Sequence, residues 1–224
     1  MTRRAASVLM LTLLLTACAS GPPPPDWQPN AQNALQRAVQ AQLSGNDRVA
    51  VADFERARGE IARTGRADLM ARAELMRCAA QVAALQFERC TAFERLRADA
   101  APAEQAYADH LAGTLEPARV PLLPPAQQPL AQPSRGTDTD LALLQATADP
   151  LSRLVGAALW LQRGRASPAV LALAVETASA QGWRRPLLAW LQLLQQRARQ
   201  AGDAAEAARL ARRIELVLQG PSTP

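Results

Sequence analysis

The chain has 224 residues, 49% of them hydrophobic but only 4% aromatic, and alanine and leucine supply much of that apolar content. This composition favours helices, and without long runs of Val, Ile, Tyr and Thr it excludes a substantial sheet, so the fold class is all-α. The formal charge of +5 is carried by arginine alone, and the single histidine, His110, has no CxxC or second histidine near it, which argues against a metal site.

Taken in chain order, the first element is a basic start, Met1 to Arg4, followed by a thirteen-residue apolar or small stretch, Ala5 to Ala17. That stretch is too short for a permanent membrane span and has the build of an export signal. It ends in Leu15-Thr16-Ala17-Cys18, which resembles a bacterial lipobox. The resemblance implies cleavage before Cys18, acylation of its thiol, and a mature protein of 207 residues. In Gram-negative lipoproteins an Asp after the cysteine retains the protein in the inner membrane. Ala19 stands there, which implies a lipid anchor in the outer membrane facing the periplasm. The covalent lipid on Cys18 is the only prosthetic group implied, and nucleic acid is not an expected partner of an exported lipoprotein.

Residues 18–29 form the lipidated start and a proline-rich tether, Gly21 to Asp26, which is stiff and extended. Trp27 follows, either resting at the lipid interface or capping the first helix. A helical region spans 30–113. Asn30 is expected to cap a helix over 31–43, and a second begins after Asn46 and runs to about Thr64. On the second, Ala50, Phe54, Ala57 and Ile61 fall on one helical face. A further helix is expected over 67–84, with Leu69, Ala73, Met76, Ala80 and Ala83 on one face. Thr91 with Glu94 reads as a capping box for a short helix, and Pro102 opens another through Tyr107 to about Ala112.

Residues 114–137 carry Pro117, Pro121, Pro124, Pro125, Pro129 and Pro133, which forbid a continuous helix. They form a linker or a strap, and Leu122, Leu123 and Leu130 favour a strap. A second helical region spans 138–220, with helices near 150–163, 168–181, 186–200 and 203–218. Asp149-Pro150, Ser167-Pro168, Pro186 and the Asp203/Glu206 capping box mark their starts. The helix at 168–181 is apolar nearly all round and is expected at the centre of this half. Residues 221–224 are a tail.

Ala34, Ala38 and Ala41, a Gly45-Asn46 turn, then Ala50, Phe54 and Ala57 make a helical hairpin that resembles a degenerate tetratricopeptide repeat. A weaker copy has Leu191, Leu194 and Ala198, then Gly202-Asp203, then Ala207, Ala211 and Ile214. The resemblance implies TPR-like helical hairpins in an α-solenoid-like arrangement, two helical halves joined by the proline-rich strap.

Cys78 and Cys90 remain after lipidation. In an oxidising compartment they read as one disulfide, with two buried free thiols as the alternative. Residues 18–149 hold 13 arginines against 16 acids, and residues 150–224 hold 10 against 4. The basic half suits anionic headgroups or an acidic protein surface, unless it is simply a solvated exterior. Arg184, Arg185, Arg197, Arg199, Arg212 and Arg213 are the candidate partner contacts.

No phosphate-cradling glycine loop, HExxH, GxSxG or CxxC occurs. His110 reads as a surface or helix-terminal residue, and Asp53, Glu55 and Glu60 as a solvated face beside Arg56, Arg58 and Arg63. The sequence therefore points to a lipid-anchored adaptor holding an envelope protein or peptide. The alternative is an α-helical cell-wall hydrolase. A buried Glu in a deep groove would favour the hydrolase, and a groove lined with Arg, Gln and Ala the adaptor.

Overall fold

Prolines and short polar side chains set the helix starts. A computed structural model describes residues 25–220, and every regular element among them is helical. The expected signal peptide, Cys18, Ala19, most of the tether and the tail at 221–224 lie outside the described residues.

Helix α1 runs Trp27–Ser44 and α2 runs Asp47–Ala62, joined at Gly45, whose φ of 83° is the left-handed conformation that glycine adopts without strain. The first helix starts four residues before the expected position. Asp26 accepts from the Trp27 N–H, and Pro29 lies in the first turn, where no intrahelical N–H bond is lost. Trp27 packs with Leu35, Ile61 and Met70 around Ala31 and Ala73. Asn46 caps α2 by accepting from the Val49 N–H at 3.3 Å.

Helix α3 is Ala67–Ala83. The chain then reverses at Leu85, a non-glycine residue at φ 61°. The Gln86 N–H closes back on the Gln81 carbonyl, the Leu85 N–H on that of Val82, and the chain returns past Cys90. Helix α4 is Thr91–Glu94. The expected capping box does not form: Cys90 takes the cap position, and Arg97 binds both oxygens of Glu94 at 2.7 and 2.8 Å. Helix α5 is Pro102–Leu111.

The proline-rich segment is a strap containing a 3-10 turn at Pro117–Leu122 and a short helix, α6, at Gln128–Ala131. Val120, Leu123 and Leu130 are buried beneath it, while Leu122 stays exposed. Helices α7 (Thr137–Ala146), α8 (Pro150–Gln162), α9 (Pro168–Ala180), α10 (Arg184–Gln200) and α11 (Ala204–Gln219) complete the chain. Asp149, Ser167 and Asp203 accept from the third residue beyond them, as an N-cap side chain does. Pro186 lies in the first turn of α10 rather than at its first position, since the helix begins at Arg184.

The most enclosed helix of the second half is α8, not α9 as its composition led us to expect. Leu154 through Trp160 are buried without interruption, because α8 is packed between α3, α7 and α9. Helix α9 leaves Ala169, Ala172 and Glu176 in solvent. Gly156 lets the strap come close: a Cβ there would lie 2.5 Å from Leu130 Cδ1.

Helix α1 packs on α3, α3 on α8, α8 on α9, α9 on α10, and α10 on α1. Helices α2 and α11 flank their hairpin partners α1 and α10. One apolar cluster passes through both halves, including Leu43, Leu75, Phe93, Leu130, Trp160, Trp190 and Leu210. Three tryptophans tie distant segments together: the indole N–H of Trp160 donates to the Leu130 carbonyl at 2.7 Å, that of Trp183 to Gln40 Oε1 at 2.9 Å, and that of Trp190 to the Ala83 carbonyl at 3.1 Å.

Candidate functional site

The C-terminal end of α1, the first turns of α2, the face of α3 and the start of α10 surround an open groove of about 240 Å³. Phe54 and Ala50 form its apolar floor, and Val51, 63% exposed, stands at its edge. Gln42, Gln81 and Gln86 line it with carboxamides, and Asp47, Glu55, Arg58, Glu74, Arg77 and Arg185 supply three charges of each sign.

Glu74 is the central group. It sits on α3 within an alanine-rich run and is only 1% exposed. Its Oε1 accepts from Arg58 Nη1. Its Oε2 lies 3.1 Å from Arg77 Nη2 yet has no hydrogen bond, and neither has Arg77 Nε, although both atoms are buried. Arg77 also lies over the Phe54 ring at 5.6 Å. The other charges pair within the groove: Arg185 with Asp47, and Arg58 with Glu55 at 3.8 Å. A proton-donating acid must face a leaving group; both oxygens of Glu74 face guanidinium groups instead.

Six arginines were expected to contact a partner, and they do not gather at one place. Arg184 donates to the Leu218 carbonyl at 3.1 Å, and Arg185 to the Gln42 carbonyl at 2.8 Å as well as to Asp47. Both therefore satisfy carbonyls at the C-terminal ends of other helices. Arg197, Arg199 and Arg212 are exposed and Arg213 is half-buried. At 1.5 Å per residue, Arg197 and Arg199 lie about 20 Å along α10 from Arg185. Of the six, only Arg185 lines the groove.

Cys78 and Cys90 come within disulfide distance, with Cα atoms 5.9 Å apart. The link would pin the segment carrying Gln86 against α3. His110 is not at the surface: it is 1% exposed, and its Nε2 lies 3.1 Å from Gln127 Oε1 beneath the strap. Because Gln127 Nε2 donates to the Ser152 carbonyl, Oε1 is free to accept the Nε2 proton. Burial, the largest cause, pushes the His110 pKa down to about 4. Asp53 also departs from the expected solvated face, since it is buried and bridges Arg37 and Arg56.

Glu74 and the Gln81/Gln86 pair escaped sequence reasoning. The available signal was a carboxylate three residues before Arg77 in an alanine-rich run, Ala71 to Ala83. Among the described residues no cluster of three His, Cys, Asp or Glu side chains could hold a metal, and no helix is long and apolar enough to cross a membrane. Comparison with family models, with curated proteins and with solved structures finds no match.

Proposed function

We propose that this chain is a lipid-anchored adaptor of the cell envelope, facing the periplasm from the outer membrane. In this reading it holds a segment of another envelope protein or peptide and catalyses no reaction. The observation that supports it best is the open, charge-balanced groove between the first hairpin, α3 and α10, lined by Gln, Arg and paired carboxylates. Such linings provide hydrogen bonds without assembling an acid and a nucleophile.

The hairpins α1–α2 and α10–α11 serve as TPR-like units, with alanine at the close-packed positions Ala34, Ala38, Ala50, Ala57, Ala198 and Ala207. Lipid on Cys18 would supply membrane attachment through the proline-rich segment that follows it. Arg197, Arg199, Arg212 and Arg213 would add positive charge to the last hairpin, which favours anionic surroundings.

Photocrosslinking in intact cells tests the reading. A photoreactive residue at Val51 should trap one envelope protein, while the same residue at Ala172, exposed on α9, should trap none. Identical products at both sites would overturn it. For the anchor, Cys18→Ser should leave an uncleaved, unlipidated precursor. Maturation of that variant to the ordinary mass in the outer-membrane fraction would remove the localisation.

A further inference from the structure

We propose that the cleft between α3, α5, the strap and the start of α8 is a second binding site, which takes a small aliphatic amine. The hydrocarbon body of the ligand lies among the leucines, and its ammonium group binds Asp149 and the Tyr107 hydroxyl. The proposal is independent of the groove and of the adaptor reading.

Three observations carry it. The first is the size and placing of the cleft. Helix α3 turns Glu74, Arg77 and Gln81 toward the groove, and Leu75, Met76 and Ala79 to its far side, where they line the cleft. The cleft measures about 420 Å³, within the roughly 300–1,000 Å³ of small-molecule sites. At roughly 30 Å³ for each water-sized group, it has room for about fourteen heavy atoms. A partner's lysine side chain, a four-carbon stem with one nitrogen, would leave most of it empty.

The second is its apolar wall. Leu75 and Leu123 are buried there, with Met76 and Leu151 beside them. Leu122 also lines the cleft, yet it stands 41% exposed while Val120, Leu123 and Leu130 of the same strap are buried. An aliphatic body in the cleft covers Leu122 and removes further apolar area from water.

The third is the polar chemistry of the lining. Tyr107 is half-buried in the wall, and its hydroxyl has no hydrogen-bond partner among the described residues, although it is not among the atoms sealed from solvent. A tyrosine hydroxyl packed this deeply normally finds a partner. Asp149 is exposed; its Oδ2 accepts from the Ser152 N–H at 2.7 Å, and no arginine among the described residues pairs with it. The other two charges of the lining, Arg72 and Glu104, satisfy each other at 2.6 Å. One uncompensated carboxylate therefore sets the sign of the cleft, and it favours a cation over an anion. Burial first, and the Asp149 charge second, push the Tyr107 pKa up, so the phenol stays neutral and its oxygen can accept from a donor. An ammonium group brings three donors to these acceptors. Beside the exposed Asp149 it keeps part of its hydration while the hydrocarbon is covered.

The test titrates the full chain in detergent at pH 7 with octylamine, octanol and octanoate. Methyl NMR reads the cleft at Met76 and Leu122, and Leu216, exposed on α11, reports unspecific association. Octylamine should shift Met76 and Leu122 saturably and leave Leu216 in place. Octanol should bind about tenfold more weakly, the loss of one charge-assisted contact, and octanoate more weakly still. Asp149→Asn keeps the helix cap and should reduce octylamine to the affinity of octanol. Tyr107→Phe should weaken octylamine about threefold with an unchanged melting temperature, because the hydroxyl has no partner in the protein to lose. Leu122→Asn should weaken all three probes alike. Parent and variants are compared in the same micelles, so partition of the probes into detergent is common to all.

Equal affinity for octylamine and octanoate would overturn the proposal, as would an amine preference that survives Asp149→Asn. So would shifts at Leu216 that follow those at Met76, or no binding by any probe. N-acetyl-lysine amide binding as tightly as octylamine would make the cleft a socket for a partner's lysine and overturn the small-molecule reading. Crosslinking from Val51 bears on the groove alone, so either reading can fail without the other.

Discussion

Arg185 Nε donates to the main-chain carbonyl of Gln42 at 2.8 Å, across 143 positions of sequence, while its Nη2 binds Asp47 on the far side of the same turn. One guanidinium thus fastens the start of α10 to the connection between α1 and α2. Its planar fork reaches two acceptors that a lysine would not reach together. Arg185→Ala should cost about 1–2 kcal/mol in chemical denaturation, since hydrogen bonds from a charged group to a carbonyl fall in that range after solvent screening. Arg185→Lys should recover less than half of the loss. A variant as stable as the parent would return Arg185 to the list of free partner contacts.

His110 makes stability depend on pH in a window that lies largely above the carboxylate range. Its pKa is about 4 in the fold, against an ordinary 6.5. The unfolded chain therefore takes up the proton first, and stability present above pH 6.5 is lost as pH falls toward 4. The full drop is about 3 kcal/mol. Asp140, held down to about 2 by Arg165 first of all, loses its own contribution only below pH 3.8. Denaturant titrations of the parent and of His110→Gln between pH 7 and 4 should diverge in slope. Parallel curves would show that His110 is accessible to protons in the fold.

Linking Cys78 to Cys90 closes a loop of 12 positions. On the chain-entropy account this adds about 3 kcal/mol. Both thiols should resist alkylation in the unreduced protein, and the double variant Cys78→Ala/Cys90→Ala should lose stability of that order. On the adaptor reading proposed above, capture by the groove should weaken in the same variant, because Gln86 lies inside the loop.

The strap meets α8 through Leu130 and Gly156. Gly156→Ala would gain helix propensity of roughly 1 kcal/mol. It would also drive a methyl group against Leu130 Cδ1, the end of a fully buried side chain that would have to shift. Overpacking of this kind costs about 1–3 kcal/mol, so a net loss in thermal melting is expected. Adding Leu130→Val should restore most of it. A stabilised single variant would mean that the strap moves aside freely.

Local chemistry made most of the helix starts legible. Asp149-Pro150, Ser167-Pro168 and Asp203 sit where sequence reasoning put them, and the stripe Ala50, Phe54, Ala57, Ile61 is buried throughout. The groove was not legible, because it is made from α1, α2, α3 and α10, and nothing in a linear pattern announces that residue 185 lies beside residue 42. His110 was misread for a related reason: its helix end is covered by a proline-rich segment whose path depends on Gln127, Leu123 and Leu130 finding distant partners. The burial of α8 over α9 came from neighbours on several sides, which hydrophobic content alone does not encode.

The contact between α1 and α10 also sets an order in time. Hairpins α1–α2 and α10–α11 each close over short loops, whereas joining them requires nearly the whole chain, and closure entropy rises with every doubling of the loop. A chain emerging from its N-terminal end therefore presents its first hairpin long before α10 exists. Until then Gln40 and Gln42 lack Trp183 and Arg185, and the groove has three walls rather than four. On the adaptor reading proposed above, capture by the finished groove becomes a property of the last helices made, and a chain interrupted before Arg184 would be helical yet lack the groove's fourth wall.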